Sequence, residues 1–518
     1  MKKQKLGLKK LYQQLDKILL LFFIIFVIME IIWIPLTSFL ADLLLSQSGF
    51  QYLSYTNVIA IFTSNPIIAL SFILLFVANL FMSYLQLGSI FIGIRQLLEE
   101  ETPSMRSFLK QTIKKSMDLI KHFHLTKALF ILLYAGILFP FMRELLKIHY
   151  LNKILLPEFI QTYILNKTWL GITLIALYLL MLYLAVRWIY ALPQLLFEGK
   201  SVREAINYSW QTTKNRFFRL AWSVLWILIK AGFFFTFWSL FILFSQSLAD
   251  FLPSLGSFVF AIVHFVLINF LYYMAIIYFM VRFISLVTEK ELPDFAKRRT
   301  NAWMRYLILS MSCLIFATKG ILTISQPPEK APLIISHRGV SEENGVQNTI
   351  PALEKTVKLK PDFVEMDVQE TKDGQFVMMH DPNLKDLAGV KAKPQDLTLS
   401  ELTRLTVTEN GQSAAIPSFN DYLKRADELG QKLLIEIKTS SKDSPNMMQR
   451  FLKMYGPTII AKGHQMHSLD YKVVESVHRY SKKIPVFFIL PYNTIFPQTQ
   501  ATGYTMEFST LDDNFMLD

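Results

Sequence analysis

The chain has 518 residues, of which 52% are hydrophobic and 43 are Phe. This composition excludes a soluble protein of ordinary type and indicates a membrane protein with two or three domains. The formal charge is +13, but most of the excess Lys and Arg lies in short loops between apolar runs. That distribution indicates membrane topology rather than nucleic-acid binding. The single cysteine, Cys313, excludes an intrachain disulfide framework.

Seven apolar runs before residue 324 are long enough to be membrane spans. Residues 1–17 are basic and precede a run that is too long for a secretory signal and lacks a small-residue cleavage site. We therefore expect an uncleaved first span. The seven predicted spans are 18–40, 68–92, 126–147, 168–190, 219–245, 257–281 and 304–323.

The charge of the loops predicts the orientation of the spans. The N-terminus and loops 96–125, 191–218 and 282–303 are basic, whereas loops 41–67 and 246–256 contain no Lys or Arg. Since basic loops stay in the cytoplasm, we expect a cytoplasmic N-terminus. An odd number of spans then places the chain after Thr323 outside the cell membrane.

Two segments of the membrane region resemble each other. The pattern S-x-R-x-x-[LI]-x-x-[ST] occurs at Ser104–Thr112 and at Ser201–Ser209, after an apolar run each time. This suggests an internal duplication, with chance similarity as the alternative. Apolar residues at helical spacing in loop 96–125 favour a basic amphipathic helix on the inner leaflet, with a solvated connector as the alternative.

Two histidines and two carboxylates fall on short apolar runs that are typical of β-strands. His337 and His380 each follow such a run, and Glu365 and Asp367 lie two apart within FVEMDV. Side chains two apart on a strand share a face. Two carboxylates on one face are oxygen ligands for Mg²⁺ or Ca²⁺, and two histidines suit general acid and base roles.

Further charged groups complete a site suited to a phosphodiester. Arg338 offers a planar fork for phosphate, and Gly339 permits a sharp turn after the strand. In the run KLLIEIK, Glu436 and Lys438 again share a face. Such a combination of a guanidinium, an ammonium, imidazoles and a metal predicts cleavage of a phosphodiester.

The motifs HRG, QNT, ExD, HD and EIK, in this order and spacing, resemble the glycerophosphodiester phosphodiesterase family over Leu333–Asp518. The region before them is similar to the membrane domain of some bacterial members. The resemblance implies a (β/α)8 barrel that hydrolyses glycerophosphodiesters to glycerol 3-phosphate and an alcohol, using a divalent metal. It implies that His337 and His380 are the acid/base pair. It implies that Glu365, Asp367 and Glu436 are metal ligands. It also implies that Arg338 and Lys438 bind the phosphate.

The chain departs from the family pattern at one motif. Where the family usually has Glu-Asn-Thr, this chain has Gln347-Asn348-Thr349. The polar contact at Gln347 therefore carries no charge. Glu342 or Glu343 is the candidate substitute.

The strand count is the second departure. We expect six barrel strands, LIIS, FVEMDV with its continuation FVMMHD, LLIEIK, TIIAKGH, PVFFILP and YTMEFS. A closed barrel needs eight strands and about 250 residues, whereas residues 333–518 provide 186. We therefore expect an α/β domain resembling an incomplete TIM barrel, with the chain truncated inside it.

Two segments of the barrel region leave alternatives open. After the predicted strand TIIAKGH, His464 and His467 weakly suggest a second metal, and substrate contacts from Ser468 or Asp470 are the alternative. The segment Pro382–Asp427 is interpreted as an insertion over the barrel mouth that helps to set leaving-alcohol specificity. It has a helix pattern around 397–405 and a turn at Asn410-Gly411.

The sequence thus predicts three regions, a multi-pass membrane domain at 1–324, a stiff Pro-rich linker at 325–332 and a phosphodiesterase-like barrel at 333–518. The expected partners are a lipid bilayer and a glycerophosphodiester, either a phospholipid head group or a polyglycerol phosphate, and no nucleic acid. The alternative is a catalytically inactive or regulatory barrel on a membrane domain that transports or binds a lipid or metabolite.

Overall fold

The computed structural model describes residues 14–54, 57–99, 104–121, 123–146, 160–161, 164–165, 167–289, 302–325, 332–341, 343–491 and 495–507. The chain divides into two compact units. The membrane unit comprises residues 1–49 and 59–327, and the barrel unit comprises residues 50–58 and 328–518. The predicted linker 325–332 falls largely on residues outside the described ones.

The membrane unit is built from long apolar helices. Its described helices are α1 Leu15–Gln47, α2 Val58–Ser64, α3 Pro66–Glu99, α4 Met105–Lys121, α5 Leu125–Leu146, α6 Thr168–Arg187, α7 Ala191–Leu196, α8 Val202–Thr213, α9 Phe217–Ala249, α10 Ser254–Thr288 and α11 Ala302–Ile324. Each predicted span coincides with one of them.

Among the described residues, six helices are long and apolar enough to cross a bilayer, α1, α3, α6, α9, α10 and α11. In α5 the apolar stretch of described side chains, Leu125–Leu138, is shorter. The prediction of a polytopic α-helical membrane domain is confirmed.

The two similar segments form equivalent structures. Ser104 and Ser201 each accept a hydrogen bond from the first turn of the following helix, α4 and α8. The last residue of each pattern then bonds to the end of the preceding span. Thr112 Oγ1 donates to Gln96 Oε1 at 3.0 Å, and Ser209 Oγ donates to the Arg187 carbonyl at 2.7 Å. The matching caps and anchors support a duplication of span plus helix.

The barrel unit is a parallel sheet with helices between its strands. Its strands are β1 Ile335–Ser336, β2 Phe363–Glu370, β3 Phe376–Met378, β4 Thr406–Glu409, β5 Gln412–Ala415, β6 Leu433–Ile437, β7 Gln465–Ser468, β8 Val486–Ile489 and β9 Gly503–Thr505. Its helices are α12 Ile350–Thr356, α13 Lys385–Ala388, α14 Leu399–Leu402, α15 Phe419–Glu428, α16 Met447–Lys462 and α17 Tyr471–Tyr480.

Six parallel strands, in the order β1-β2-β6-β7-β8-β9, form the wall, and β3 pairs with β2 in the antiparallel sense. Strands β2 and β6 are buried along their whole length, as expected where helices cover one face and barrel interior the other. The predicted incomplete α/β barrel is confirmed.

One of the six predicted strands was misplaced. The run TIIAKGH does not form a strand, because Thr458–Lys462 is the last part of α16. The helix buries Phe451, Tyr455 and Ile459, which recur every four residues, and it ends at Gly463 with φ +70°. The strand lies further on, at Gln465–Ser468, and it contains His467.

The insertion contains the predicted turn. Strands β4 and β5 form a hairpin whose two connecting residues, Asn410 and Gly411, have φ values of 51° and 70°. Positive φ at both positions is the geometry of a two-residue hairpin turn, which Asn-Gly favours. Only one helical turn, α14, forms where a helix pattern was predicted. Val407 on β4 is buried in a small core beside β3.

A segment from the beginning of the chain completes the barrel unit. The Tyr52 ring packs against the rings of Tyr471 and Phe488, with centroid distances of 5.2 and 4.7 Å. Gln51 accepts hydrogen bonds from the Tyr471 hydroxyl and, through its carbonyl, from the Gln498 amide. The connection between α1 and α2 is therefore part of the barrel unit's core.

Candidate active site

A row of polar side chains crosses three neighbouring parallel strands. Asp367 on β2 is in register with Glu436 on β6, which is in register with His467 on β7. Neighbouring residues in register project from the same face of a sheet, so the three side chains lie side by side. Glu365 lies two residues before Asp367 on the same face. All four are 5% exposed or less.

The turn after β1 is strained, and it is held by hydrogen bonds to Glu365 and Asn348. Arg338 has φ 55°, a left-handed conformation that is unfavourable for a residue with a side chain. Its main-chain N–H donates to Glu365 Oε2 at 2.7 Å, and its carbonyl accepts from the Asn348 amide at 2.8 Å. Gly339 has φ +68°, and a Cβ there would lie 2.5 Å from the Tyr422 hydroxyl. Both the positive φ and the closeness of the Tyr422 hydroxyl therefore favour glycine at position 339, as predicted.

The protonation pattern of His380 follows from its neighbours. Arg338 Nη2 lies 2.8 Å from His380 Nε2, and because arginine is only a donor, Nε2 accepts. The proton is therefore on Nδ1, which donates to Asp381 Oδ1 at 2.8 Å. Gln369 Nε2 donates to the carbonyls of both residues and of Met379. The His380 ring is thus oriented from both sides.

His337 is placed differently from His380. Its side chain is 72% exposed, and its Nε2 lies 3.8 Å from Glu365 Oε2. The ring therefore reaches the carboxylates while remaining accessible to a substrate from solvent.

Lys438 and Asn348 bind the carboxylates directly. Lys438 Nζ lies 2.6 Å from Glu436 Oε1 and 3.2 Å from Asp367 Oδ1. Asn348 Nδ2 donates to Asp367 Oδ2 at 2.8 Å, while its Oδ1 accepts from the Asp367 main-chain N–H. The structure thus brings together all seven residues predicted for the site, His337, Arg338, Glu365, Asp367, His380, Glu436 and Lys438.

Burial and mutual repulsion shift the pKa values of these acids. Burial, then the charge of Asp367, raise the pKa of Glu365 to about 7, and burial raises the pKa of Glu436. Burial opposes ionisation of Asp367 too, but Lys438, His380 and the Asn348 hydrogen bond hold its pKa below the usual value. Burial lowers the pKa of His467 to about 4. The three carboxylates lie close together with too few positive charges nearby, and this arrangement favours the binding of a cation.

The donor atoms fit a metal ion. Among the described residues, ligand atoms of Glu365, Glu436 and His467 lie within 4.8 Å of one another. Glu365 Oε1 and both ring nitrogens of His467 are buried and form no hydrogen bond within that part of the chain. Leaving buried polar atoms unpaired costs about 1–3 kcal/mol each, and a divalent cation would satisfy them.

One residue of the site was missed by sequence reasoning. The Glu409 carboxylate, at the end of β4, accepts from the Gln347 main-chain N–H at 2.9 Å and from Gln347 Nε2 at 2.7 Å. Gln347 Oε1 in turn accepts from Arg338 Nη1 at 2.9 Å. A negative charge beside Gln347 is therefore supplied by Glu409. Of the two candidates proposed from the sequence, Glu342 lies outside the described residues, and Glu343 is not hydrogen-bonded to Gln347 in the part of the chain that the structure describes.

The other histidine beside the strand, His464, has a structural role. Its Nδ1 accepts from the Leu433 main-chain N–H at 3.0 Å, and its Nε2 lies 3.1 Å from Asp427 Oδ1. His464 therefore joins α15 to β6 and is not among the grouped ligands. His467, by contrast, faces the site because β7 begins later than predicted.

This arrangement places carboxylates, imidazoles and cations on, or just after, neighbouring strands of an α/β barrel unit in a chain that also has a membrane unit. A family model described as the membrane domain of glycerophosphoryl diester phosphodiesterase matches residues 4–322, more than half of the chain. A second, the glycerophosphoryl diester phosphodiesterase family, matches residues 337–498. The chain belongs to the glycerophosphodiester phosphodiesterase family, in its membrane-domain-containing form.

Curated relatives match parts of the chain. Human Lysophospholipase D GDPD1 is 29% identical over 166 residues, 30% of this chain and 51% of the relative. Glycerophosphodiester phosphodiesterase of Caldanaerobacter subterraneus is 30% identical over 125 residues, 23% of this chain and 51% of the relative. The Bacillus subtilis protein of the same name is 24% identical over 225 residues, which are 39% of this chain and 75% of the relative. The chain spans about half the length of the first two.

Solved structures of phosphodiesterases also match parts of the chain. A phosphodiesterase from Oleispira antarctica, in complex with the product sn-glycerol-3-phosphate, is 21% identical, covers 30% of this chain and 66% of that chain, and has a TM-score of 0.27. A glycerophosphodiester phosphodiesterase from Parabacteroides distasonis is 27% identical, with coverages of 34% and 72% and a TM-score of 0.29.

Proposed function

We propose that this protein hydrolyses glycerophosphodiesters to glycerol 3-phosphate and an alcohol at the outer face of the cell membrane. The observation that carries the proposal is the convergence of two histidines, two cations and three buried carboxylates that lie on, or just after, β1, β2, β3 and β6. Family membership agrees with it. The substrates are phospholipid head groups or polyglycerol phosphates.

His380 and His337 exchange protons with the substrate. One imidazole accepts the proton of the nucleophile, which is water or the glycerol hydroxyl of the substrate, and the other donates to the departing alkoxide. At His380 this exchange takes place at Nε2, because Asp381 holds the proton on Nδ1. Arg338 and Lys438 bind phosphate oxygens and keep the phosphorus in line with the nucleophile. The insertion, with β4 and β5, contributes to leaving-alcohol specificity.

Glu365, Asp367 and Glu436 would hold a divalent cation, and these oxygen ligands by themselves favour Mg²⁺ or Ca²⁺. When bound, the cation supplies positive charge that stabilises the oxygens of the reacting phosphate. The buried, unpaired Glu365 Oε1 supports this role.

The loop charges and the Tyr52 segment support the proposed outer location. Loop 41–67 contains no Lys or Arg, so it belongs outside if the basic N-terminus is inside. Residues 50–58 belong to the barrel unit, which supports placing the barrel on the side of that loop. Because residues 50–58 and residues 328–518 belong to the same unit, the chain between them must cross the membrane an even number of times. Five described spanning helices follow α1, so α5 must be the sixth crossing.

The orientation is tested by cysteine labelling in whole cells. The chain has one cysteine, so Cys313→Ser gives a cysteine-free background. A membrane-impermeant maleimide should label single cysteines placed at exposed Gln51 and Lys424, and leave one placed at Lys110 unlabelled until the cells are permeabilised. Labelling of position 110 in intact cells, with 51 and 424 protected, would reverse the proposed orientation.

The activity is tested with membranes that bear this chain. Release of glycerol 3-phosphate from glycerophosphocholine and glycerophosphoglycerol should be lost with EDTA and in His337→Ala. Release that is unchanged by both treatments would refute the proposal. No release from any glycerophosphodiester would favour a binding or transport role.

A further inference from the structure

His467 has no role in the reaction proposed above, yet it lies in the site, on β7 and in register with Glu436. It is 4% exposed, and neither ring nitrogen forms a hydrogen bond with a described residue. Buried imidazoles normally have at least one partner. The ring is held in place by its position on β7, between β6 and β8. Both nitrogens therefore need a partner, and none of the described side chains provides one.

The unpaired ring edge faces two carboxylates. His467 Nε2 lies 3.4 Å from Glu365 Oε1 and 3.9 Å from Glu436 Oε2. Two ligand atoms that each lie about 2.1 Å from one tetrahedral ion are about 3.4 Å apart. The observed separations are close to that value, and no hydrogen bond links the ring to either acid. The three side chains thus face a common point.

We infer that His467 is a nitrogen ligand of the divalent cation, together with Glu365 and Glu436, and that the site prefers a late first-row transition ion to Mg²⁺ or Ca²⁺. Imidazole suits Zn²⁺, Co²⁺ and similar ions, whereas all-oxygen sites suit Mg²⁺ and Ca²⁺. The inference rests on the proposed function only in that a cation occupies this site. It changes the expected metal, because sequence alone supplied oxygen ligands.

The competing interpretation is that His467 is only an ion-pair partner of the two acids. The two interpretations differ in one respect, namely whether a ring nitrogen is bonded to the metal. They can therefore be separated by measurements on metal binding, without reference to turnover.

The first experiment measures metal affinity by calorimetry on the full chain, purified in detergent and stripped with EDTA. The wild type should bind Co²⁺ at least about tenfold more tightly than Ca²⁺, and His467→Gln should weaken Co²⁺ binding by at least about tenfold while changing Ca²⁺ binding much less. The matched control, His478→Gln, alters a half-buried histidine on α17 and should leave both affinities unchanged. Circular dichroism verifies that each variant is folded.

The second experiment begins with the wild type, so its first result does not depend on the folding of a variant. Electron spin echo spectroscopy of the wild type loaded with Mn²⁺ should show modulation from an imidazole nitrogen. This modulation should persist in His337→Ala, which removes the other ring near Glu365, and disappear in His467→Gln. Absence of nitrogen modulation in the wild type, or its loss only in His337→Ala, would overturn the inference.

The outcomes also separate this inference from the proposed function. Glycerol 3-phosphate release that depends on Mg²⁺ or Ca²⁺, without nitrogen modulation, would refute His467 as a ligand and leave the activity intact. Nitrogen modulation that depends on His467, without release from any glycerophosphodiester, would establish the ligand and refute the activity.

Discussion

Glu409 holds Gln347 by two hydrogen bonds, one to its main-chain nitrogen and one to its side-chain amide. The two residues are 62 positions apart. Through Gln347 Oε1 the carboxylate is linked to Arg338 and hence to His380. The hairpin of the insertion thus orients Arg338 and His380, the groups proposed to bind phosphate and to move protons.

This relationship predicts a charge-swap result. Gln347→Glu restores the usual family residue but places two carboxylates in contact, which should lower kcat/KM by about tenfold, or about 1.4 kcal/mol. The double variant Gln347→Glu/Glu409→Gln should recover most of that loss, since an amide at 409 accepts from the main chain and donates to the new acid. Steady-state release of glycerol 3-phosphate measures both. A double variant whose kcat/KM is no higher than that of Gln347→Glu would contradict the proposed link from Glu409 through Gln347 to Arg338.

The two site histidines should be separately essential. His337→Ala and His380→Ala should each lower kcat by about a hundredfold or more, because general acid or base catalysis contributes about that factor. Expression and circular dichroism should be unchanged, since His337 is exposed and His380 is partly exposed. His478→Ala, on α17, serves as the control. A near-normal rate in either site variant would exclude that histidine from catalysis.

His464 should make barrel stability depend on pH. Burial lowers its pKa, and protonation of Nδ1 would place a proton against the Leu433 N–H. The free energy of unfolding should be greatest above about pH 6.5, the ordinary histidine pKa, and fall as the pH drops below it. The reason is that the unfolded chain takes up a proton which the folded chain resists.

Pulse proteolysis in urea, with the barrel fragment as readout, measures this dependence. His464→Asn should be less stable at pH 8 and show a weaker decline towards pH 5 than the wild type. His478→Asn should follow the wild-type curve. An equally steep decline in His464→Asn would assign the dependence to other groups.

Tyr52 should stabilise the barrel. Tyr52→Ala removes a ring packed against Tyr471 and Phe488, which should cost about 1–3 kcal/mol. Hydrogen–deuterium exchange should accelerate in α17 and β8, while exchange in α9 and α10 stays unchanged. Leu53→Ala, in the same segment, is the comparison variant. Unchanged exchange in α17 and β8 would show that the ring adds no stability to this edge.

The chemistry of the site was largely predictable because it lies on local patterns. Glu365 and Asp367 share a strand face through their spacing of two, and the parallel sheet then aligns Asp367 with Glu436. The position of His380 follows from the antiparallel return of β3. These relationships depend on strand periodicity, which is visible in the sequence.

Two parts of the site were not predictable for physical reasons. Glu409 reaches Gln347 through the tertiary path of an insertion, and no local pattern encodes that contact. His467 was obscured because Thr458–Lys462 is rich in β-branched and apolar residues and resembles a strand. The correct boundary was nevertheless encoded by the four-residue spacing of Phe451, Tyr455 and Ile459 and by the helix-ending Gly463.

The Tyr52 segment also constrains the order of events during synthesis. Gln51 bonds to Tyr471, 420 residues later in the chain. At roughly 5–20 residues per second, translation takes about 20–80 s to cover that interval. The first loop must remain unpaired until Tyr471 and Phe488 have been synthesised. A barrel expressed without the first loop would expose the aromatic surface that Tyr52 covers, and should aggregate more readily than the whole chain.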